Sequence, residues 1–313
     1  MIKILIENSS YKSTSWNDAY WAKFFMQEYF KKHNIQLVSW SIHNYNKVKK
    51  NFSCYYTVDK QWKYNKTNKA FIPDIIWNRK SSWTIYKYDL LKDFIITPSE
   101  KIANIGNDKY ENYLFLQKYQ PKTFLLNMFF KNTIIQKELP TQVVVKPLRA
   151  NWWKWILLTT KKELLSNRDK YHGMEELYII QAFKDFSWWY QWLAEWNHDV
   201  RCMFAGENII ETTVRIPKKW DFRSNIWSWG KQIFISKNKL PKELLSMLKK
   251  IYKELHITDT NIFSMDFAYC KQEKKRFLIE INTSPWTWYY QRNKRKLETI
   301  CKGLSNFFLS LKK

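Results

Sequence analysis

"QVVVKPLRANWWKWILL", residues 142–158, opens with an apolar run that reads as a buried strand of β-branched residues and closes with another apolar run. Between them the chain must turn, yet the turn carries Trp152, Trp153 and Trp155 around Lys154. Turns that need a positive φ, or that bring backbone close to a ligand, call for glycine because it lacks Cβ. Tryptophan clashes there. The same anomaly recurs in "KKWDFRSNIWSWGK" (Trp220, Trp227, Trp229), "INTSPWTWYY" (Trp286, Trp288) and "DFSWWYQWLAEWNHDVR" (Trp188, Trp189, Trp192, Trp196). All lie between strand-like runs, among the Asn, Ser, Asp, Pro and Lys residues where chains turn.

Composition carries the same signal. The 313 residues include 18 Trp and 5 Gly, together 23. Ordinary glycine usage of about 7% would give about 22 in this length. The surplus of one residue thus matches the deficit of the other. With Gly in place of Trp the loops read as "VVVKPLRANGGKGI", "KKGDFRSNIGSGGK" and "INTSPGTGYY", each coherent as a turn. We read this as a gene that decodes UGA as glycine, rendered with UGA as tryptophan. Trp77 in "PDIIWNRK" and Trp21 in "DAYWAKFF" fit a strand and a helix and are expected to be genuine core residues.

The net charge is +25, but only nine of the 53 basic residues are Arg. The other 44 are Lys, spread along the chain with many Asn, Ile, Tyr and Phe, as the codon choice of an AT-rich genome would impose. The charge also suits an acidic partner. A basic, Trp-rich binder of single-stranded nucleic acid is the competing class, with tryptophans stacking on bases. The Trp positions argue against it, because they fall in turns instead of on alternating strand faces. No apolar stretch approaches 20 residues, so no membrane span is expected. Scattered Cys54, Cys202, Cys270 and Cys301 read as reduced thiols, and a cytoplasmic location is expected.

The opening segments "IKILIE" (2–7), 17–34, "IQLVSW" (35–40) and "PDIIWNR" (73–79) form a β-α-β pattern with a further strand. A helix capped by Asn107 or Asp108 and closed before Pro121 follows. From about 120 to 183 strands and helices alternate, and the remainder reads as antiparallel strands finished by a basic helix. Within those strands Asp266 ("SMDFAYC") and the alternating pair Glu280 and Asn282 ("FLIEIN") point to one face. Two carboxylates and a carboxamide oxygen suit Mg²⁺, although acidic strand residues also serve simply as solvent-facing groups. Lys146 ends an apolar strand, where an unpaired lysine is costly.

With glycines restored, the chain resembles an ATP-grasp carboxylate–amine ligase of the branch holding prokaryotic glutathione synthetase and the ribosomal-protein glutamate ligases. The likeness runs from about residue 70 to 290 and is most specific in "HDVRCMFAGENIIETTVRIPKKWDFRSNIWSWGK" (198–231). It implies an α/β (α+β lobes) ATP-grasp fold. Residues 1–100 would form a Rossmann-like pre-ATP-grasp domain, 101–184 the small lid with a linker helix, and 185–313 the large lobe. It also implies an ADP-forming ligase using ATP and Mg²⁺ (or Mn²⁺), with an acyl phosphate formed and then attacked by an amine. A retired ATP-grasp scaffold serving as a binding module is a third alternative.

By the same resemblance Asp266, Glu280 and Asn282 are the metal triad. Lys109 and Lys146 are the ATP lysines, and the loop of Asn151, Trp152, Trp153 and Lys154 folds over the phosphates. Gln181, Ala182 and Phe183 form the adenine hinge, with Ala182 where the family often has glutamate. Asp199 and Arg201 reach ribose and phosphates, and Arg223 and Asn225 contact the acyl phosphate. Arg201, Arg215 and Arg223 all fall on motif positions, a specific signal in a chain with nine arginines. A guanidinium fork matches phosphoryl oxygens. A homo-oligomer is compatible with this reading. Carboxylate and amine identities are not written in these motifs.

Overall fold

The aliphatic alternation of IKILIE forms strand β1 (Ile2–Glu7), and α1 (Asn17–Lys32) returns the chain to β2 (Ile35–Trp40), paired parallel with β1. The computed structural model describes residues 1–7, 17–40, 42–61, 63–79, 85–149, 156–186, 198–217, 231–283, 285 and 293–312. A short hairpin, β3 (Tyr45–Asn46) and β4 (Asn51–Phe52), precedes β5 (Tyr55–Val58), β6 (Tyr64–Thr67) and β7 (Ile75–Trp77). After α2 (Ile85–Leu90), β8 (Ile95–Thr97) completes a sheet of order β6-β5-β2-β1-β7-β8. Its four strands β2, β1, β7 and β8 are parallel, and both faces are buried. Ile4, Ile6 and Trp77 point to one side, Leu5, Val38 and Ile76 to the other.

Helices α3 (Glu100–Asn107) and α4 (Lys109–Leu116) follow, divided by Asp108. Of the two expected caps it is Asp108 that works, its Oδ1 accepting from the backbone N–H of Tyr110 and Glu111, each at 3.0 Å. Next come β9 (Thr123–Leu125), α5 (Leu126–Lys131), α6 (Thr133–Glu138), β10 (Gln142–Pro147), β11 (Leu157–Thr160), α7 (Lys161–Ser166) and β12 (Tyr178–Ala182). Their strands form an antiparallel sheet of order β11-β10-β12-β9. A Thr160/Glu163 capping box starts α7.

The third sheet is built from β13 (Asp199–Ala205), β14 (Asn208–Ile216), β15 (Lys231–Phe234), β16 (Ile262–Cys270) and β17 (Lys275–Asn282). It is antiparallel, with order β15-β14-β13-β16-β17. Helix α8 (Lys242–Glu254) interrupts a region whose sequence reads as strands alone. Leu244, Leu248 and Ile251, at helical spacing behind Pro241, fill one face of this sheet together with Val200, Phe263 and Met265. Helix α9 (Lys294–Ser310) lies against the first sheet: Leu297, Ile300, Leu304 and Phe308 share one apolar cluster with Ile4, Ile6 and Phe30, which also takes in Met203 and Ile262.

Of the 18 tryptophans, Trp21, Trp40 and Trp77 fall within the described residues. Trp21 lies in α1, and Trp77, expected in the core, is fully buried, as is Trp40. All four cysteines are free and buried. Among the described residues no helix is long and apolar enough to cross a membrane.

Gly106 sets how closely α3 approaches β17. A Cβ there would overlap Thr283 Cγ2 and lie 3.2 Å from the Ile281 carbonyl oxygen, one residue beyond Glu280. Gly106→Ala is therefore expected to lose about 1–3 kcal/mol of stability. Urea unfolding measures this, and an unchanged midpoint would show that α3 moves aside freely.

Candidate active site

Period-two alternation makes one face of the third sheet apolar and the other polar. Opposed residues in an antiparallel pair project to the same side. Asp266 on β16 stands opposite Glu280 on β17 and opposite Arg201 on β13, while Asp199 stands opposite Arg215 on β14. Arg201 grips Asp266 with both arms of its fork, Nε to Oδ1 and Nη2 to Oδ2, each at 2.7 Å. Arg215 does the same to Asp199, at 2.7 Å from Nε and 2.5 Å from Nη2, and its Nη2 also donates to Asp266 Oδ2 at 2.7 Å. Asn282 Nδ2 completes the set, 3.2 Å from the same oxygen.

This ladder is buried, with Asp266 1% and Asp199 6% exposed. Burial pushes the Asp199 carboxyl up to about 6 against the opposing charge of Arg215, and the Asp266 charge adds to the rise. At Asp266 burial also pushes upward, but the guanidinium charges of Arg201 and Arg215 outweigh it and hold the carboxylate below its ordinary range. Arg215 is raised, because two carboxylates more than offset its desolvation.

Register breaks build the rest. Asp266 pairs with Glu280, but Phe267 pairs with Leu278, so Ile279 is an extra residue bulged out of β17. Ile279 lines a narrow recess between the second and third sheets, together with Lys109, Lys146, Gln181 and Glu280. Lys146 Nζ donates to Gln181 Oε1 at 2.7 Å, and Gln181 Nε2 in turn donates to Thr123 Oγ1 at 2.8 Å. Burial brings the Lys146 ammonium down to about 8, with Glu280 opposing the fall and Lys109 adding to it.

The structure thus brings Lys109, Lys146, Gln181 and Glu280 to one recess, beside Asp199, Arg201, Asp266 and Asn282 on the sheet face. Ala182 and Phe183 end the adjacent strand, but their N–H groups already donate to the carbonyls of Lys122 (2.8 Å) and Gln142 (3.2 Å), so they offer no free amide hydrogen to a base. Asn151, Trp152, Trp153, Lys154, Arg223 and Asn225 lie outside the described residues. Arg215, placed on a motif position in the sequence without a role, completes the ladder. The polar alternation Glu211, Thr213, Arg215 along β14 already places Arg215 on the polar face of the sheet. Three contributors went unassigned in the sequence: Asn112 and Gln120 line the recess, and Arg149 Nε bonds Asp108 Oδ2 at 2.9 Å, tying the end of β10 to the helix that carries Lys109.

The donor set suits a hard cation in kind. Glu280 and Asn282 supply oxygens from alternate positions of one strand, and Asp266 faces them. Among the described residues no group of three His, Cys, Asp or Glu side chains is gathered as a metal centre, so phosphate oxygens and water would complete the coordination.

Two antiparallel sheets meeting over such a recess, behind a mixed first sheet, define an ATP-grasp fold. The profile of the RimK-like ATP-grasp domain matches residues 116–298, more than half of the chain, and the chain belongs to that family. No curated protein matches it significantly. Among solved structures it is similar to a RimK domain ATP-grasp protein from Sphaerobacter thermophilus, with 10% identity over 96% of this chain and 99% of that one, and a TM-score of 0.58. It is also similar to D-alanine–D-alanine ligase from Bacillus anthracis complexed with ATP, with 14% identity over 99% and 98% of the two chains and a TM-score of 0.63. The ATP-grasp ligase PsnB complexed with minimal precursor gives 11% identity over 100% and 99%, with a TM-score of 0.61. At these identities the likeness is one of fold.

Lys146 generates a pH signature. A bound polyphosphate favours its charged form, so ATP binding is expected to take up protons near pH 8 and to weaken as pH rises from 7 to 9. Calorimetric titrations in buffers of different ionisation enthalpy measure the uptake. Lys146→Arg, which stays charged, should abolish it; uptake persisting in that variant would assign it to another group.

Proposed function

We propose that this chain is an ADP-forming ligase that joins a carboxylate to an amine through an acyl phosphate, in the branch of glutathione synthetase and the ribosomal-protein glutamate ligases. The observation that carries the reading is the convergence of Lys109, Lys146 and Gln181 with Glu280 in one recess, beside a belt of buried guanidinium and carboxylate groups. Buried ion pairs are poor stabilisers compared with apolar residues of the same volume. A belt of this kind on a sheet whose other face is aliphatic is best accounted for by chemistry.

In this reading Lys109 and Lys146 neutralise phosphate oxygens, and Arg201 adds a fork of donors matched to them. Asp266, Glu280 and Asn282 hold Mg²⁺ or Mn²⁺, which when bound supplies charge neutralisation of the transferring phosphoryl group. Arg223 and Asn225 meet the acyl phosphate, and Asp199 orients Arg215. Gln181 holds the Lys146 ammonium in place and, with Ala182 and Phe183, borders the base. The loop of Asn151, Trp152, Trp153 and Lys154 covers the phosphates, a role that requires glycine in place of the tryptophans. The gene is accordingly one in which UGA encodes glycine. Location in the cytoplasm and domains of 1–100, 101–184 and 185–313 complete the proposal. PsnB is complexed with a minimal precursor in its structure, and the net charge of +25 is compatible with an acidic peptide as acceptor here.

Two versions of the chain test this: the sequence as written and one with Gly at 152, 153, 155, 220, 227, 229, 286 and 288. The glycine version is expected to bind ATP at least about a hundredfold more tightly, the loss a misfitted phosphate loop entails, and to release phosphate when an amino acid or peptide is added. Equal affinities of the two would sink the recoding argument. Tight ATP binding without amine-stimulated phosphate release would favour the binding-module alternative.

A further inference from the structure

Asp266 would be a metal ligand, yet both of its oxygens are already occupied. Oδ1 accepts from Arg201 Nε, and Oδ2 accepts from Arg201 Nη2, Arg215 Nη2 and Asn282 Nδ2. A carboxylate oxygen has about two lone-pair sites, so Oδ2, the oxygen that faces Asn282, is fully taken by three donors, while Oδ1 accepts one. The two carboxylates and two guanidiniums of the ladder also cancel in charge. A divalent ion arriving alone would gain little from the ladder, whose Asp266 Oδ2 is taken, and would be left chiefly with the carboxylate of Glu280.

We propose that Arg201 and Arg215 stand in for the metal while nucleotide is absent, so that metal and nucleotide bind as a coupled pair. The inference rests on the ligase reading for the identity of the nucleotide, and on the observed ladder for the rest. Incoming phosphate oxygens offer the two guanidinium groups anionic acceptors equivalent to the Asp266 carboxylate. When the forks turn to phosphate, Asp266 becomes free for the metal beside Glu280 and Asn282. Arg215 is the pivotal member because it touches both carboxylates: released from Asp266, it retains two bonds to Asp199. Asp199 is thus a positioning residue for Arg215. The coupling is reciprocal, so metal must tighten nucleotide by the same factor as nucleotide tightens metal.

The test uses Mn²⁺ alone, followed by electron paramagnetic resonance on the full chain without nucleotide. The native chain is expected to bind Mn²⁺ weakly. Arg215→Met should tighten it by about tenfold or more, because one opposing charge is removed at close range. Adding Asp266→Asn to that variant should erase the gain. Arg201→Lys, which keeps the charge but loses the fork, should move in the same direction by a smaller factor, and it decides the matter where Arg215→Met does not fold by circular dichroism. Mn²⁺ bound no more tightly by a folded variant overturns the proposal, as does a gain that survives Asp266→Asn. A second arm titrates ADP in EDTA, where Arg215→Met should weaken binding; unchanged affinity there would remove Arg215 from the phosphates. A native chain that fails to bind ATP sinks the ligase reading separately, leaving the Mn²⁺ result to be judged by itself.

Discussion

Four charges buried on one face of a sheet can be tolerated only when each finds its partner, and that requirement governs the third sheet. Asp199, Arg201, Arg215 and Asp266 come from a hairpin, β13 and β14, and from β16 much later in the chain, and a one-residue slip of any strand would turn its charged group into the aliphatic face packed by α8. Register is therefore strongly specified here. The two places where register breaks, between Met203 and Phe204 and between Asp266 and Phe267, flank the ladder. One places Ile279 into the recess with Lys146, and the other leaves Ile210 as the extra residue of β14, against Gly303 of α9.

The recess follows from the same geometry. A lysine at the end of β10 would be poorly tolerated among Val143, Val144 and Val145, were Gln181 not opposite Val144 to receive its ammonium. Gln181 is in turn held by Thr123. Three strands of the second sheet thus share one polar chain that points toward Glu280 of the third. The arrangement gathers the lysine ammonium groups and the acceptor oxygens of Glu280 in one recess, as the proposed nucleotide and cation would require.

Much of this was legible in the sequence, for physical reasons that differ from place to place. The β-branched run before Lys146, the alternation of Glu280 and Asn282, and the short polar side chain of Asp108 are local signals, and each leads to the element observed. The partnership of Arg215 with both Asp199 and Asp266 is not local. It depends on which strands are neighbours and on a bulge at Ile279, neither of which any single strand announces. Helix α8 was hidden differently, since its Leu244, Leu248, Ile251 stripe lies in a lysine-rich stretch like many others in this chain. The segment 151–155, which we propose covers the phosphates, was read from residue type alone, tryptophan where a turn calls for glycine.

The position of α9 bears on how the chain is made. Ile4, Ile6 and Phe30 complete their core against Leu304 and Phe308, nearly three hundred residues later, and the same cluster contains Met203 and Ile262. During synthesis α1 covers only part of that face of the first sheet, through Ala22, Met26 and Phe30, and the rest waits until residue 308 has left the ribosome. Its closure is a late, long-range event with the slow kinetics that such contacts impose. A nascent chain of this topology is a natural client for chaperones that shield aliphatic surface.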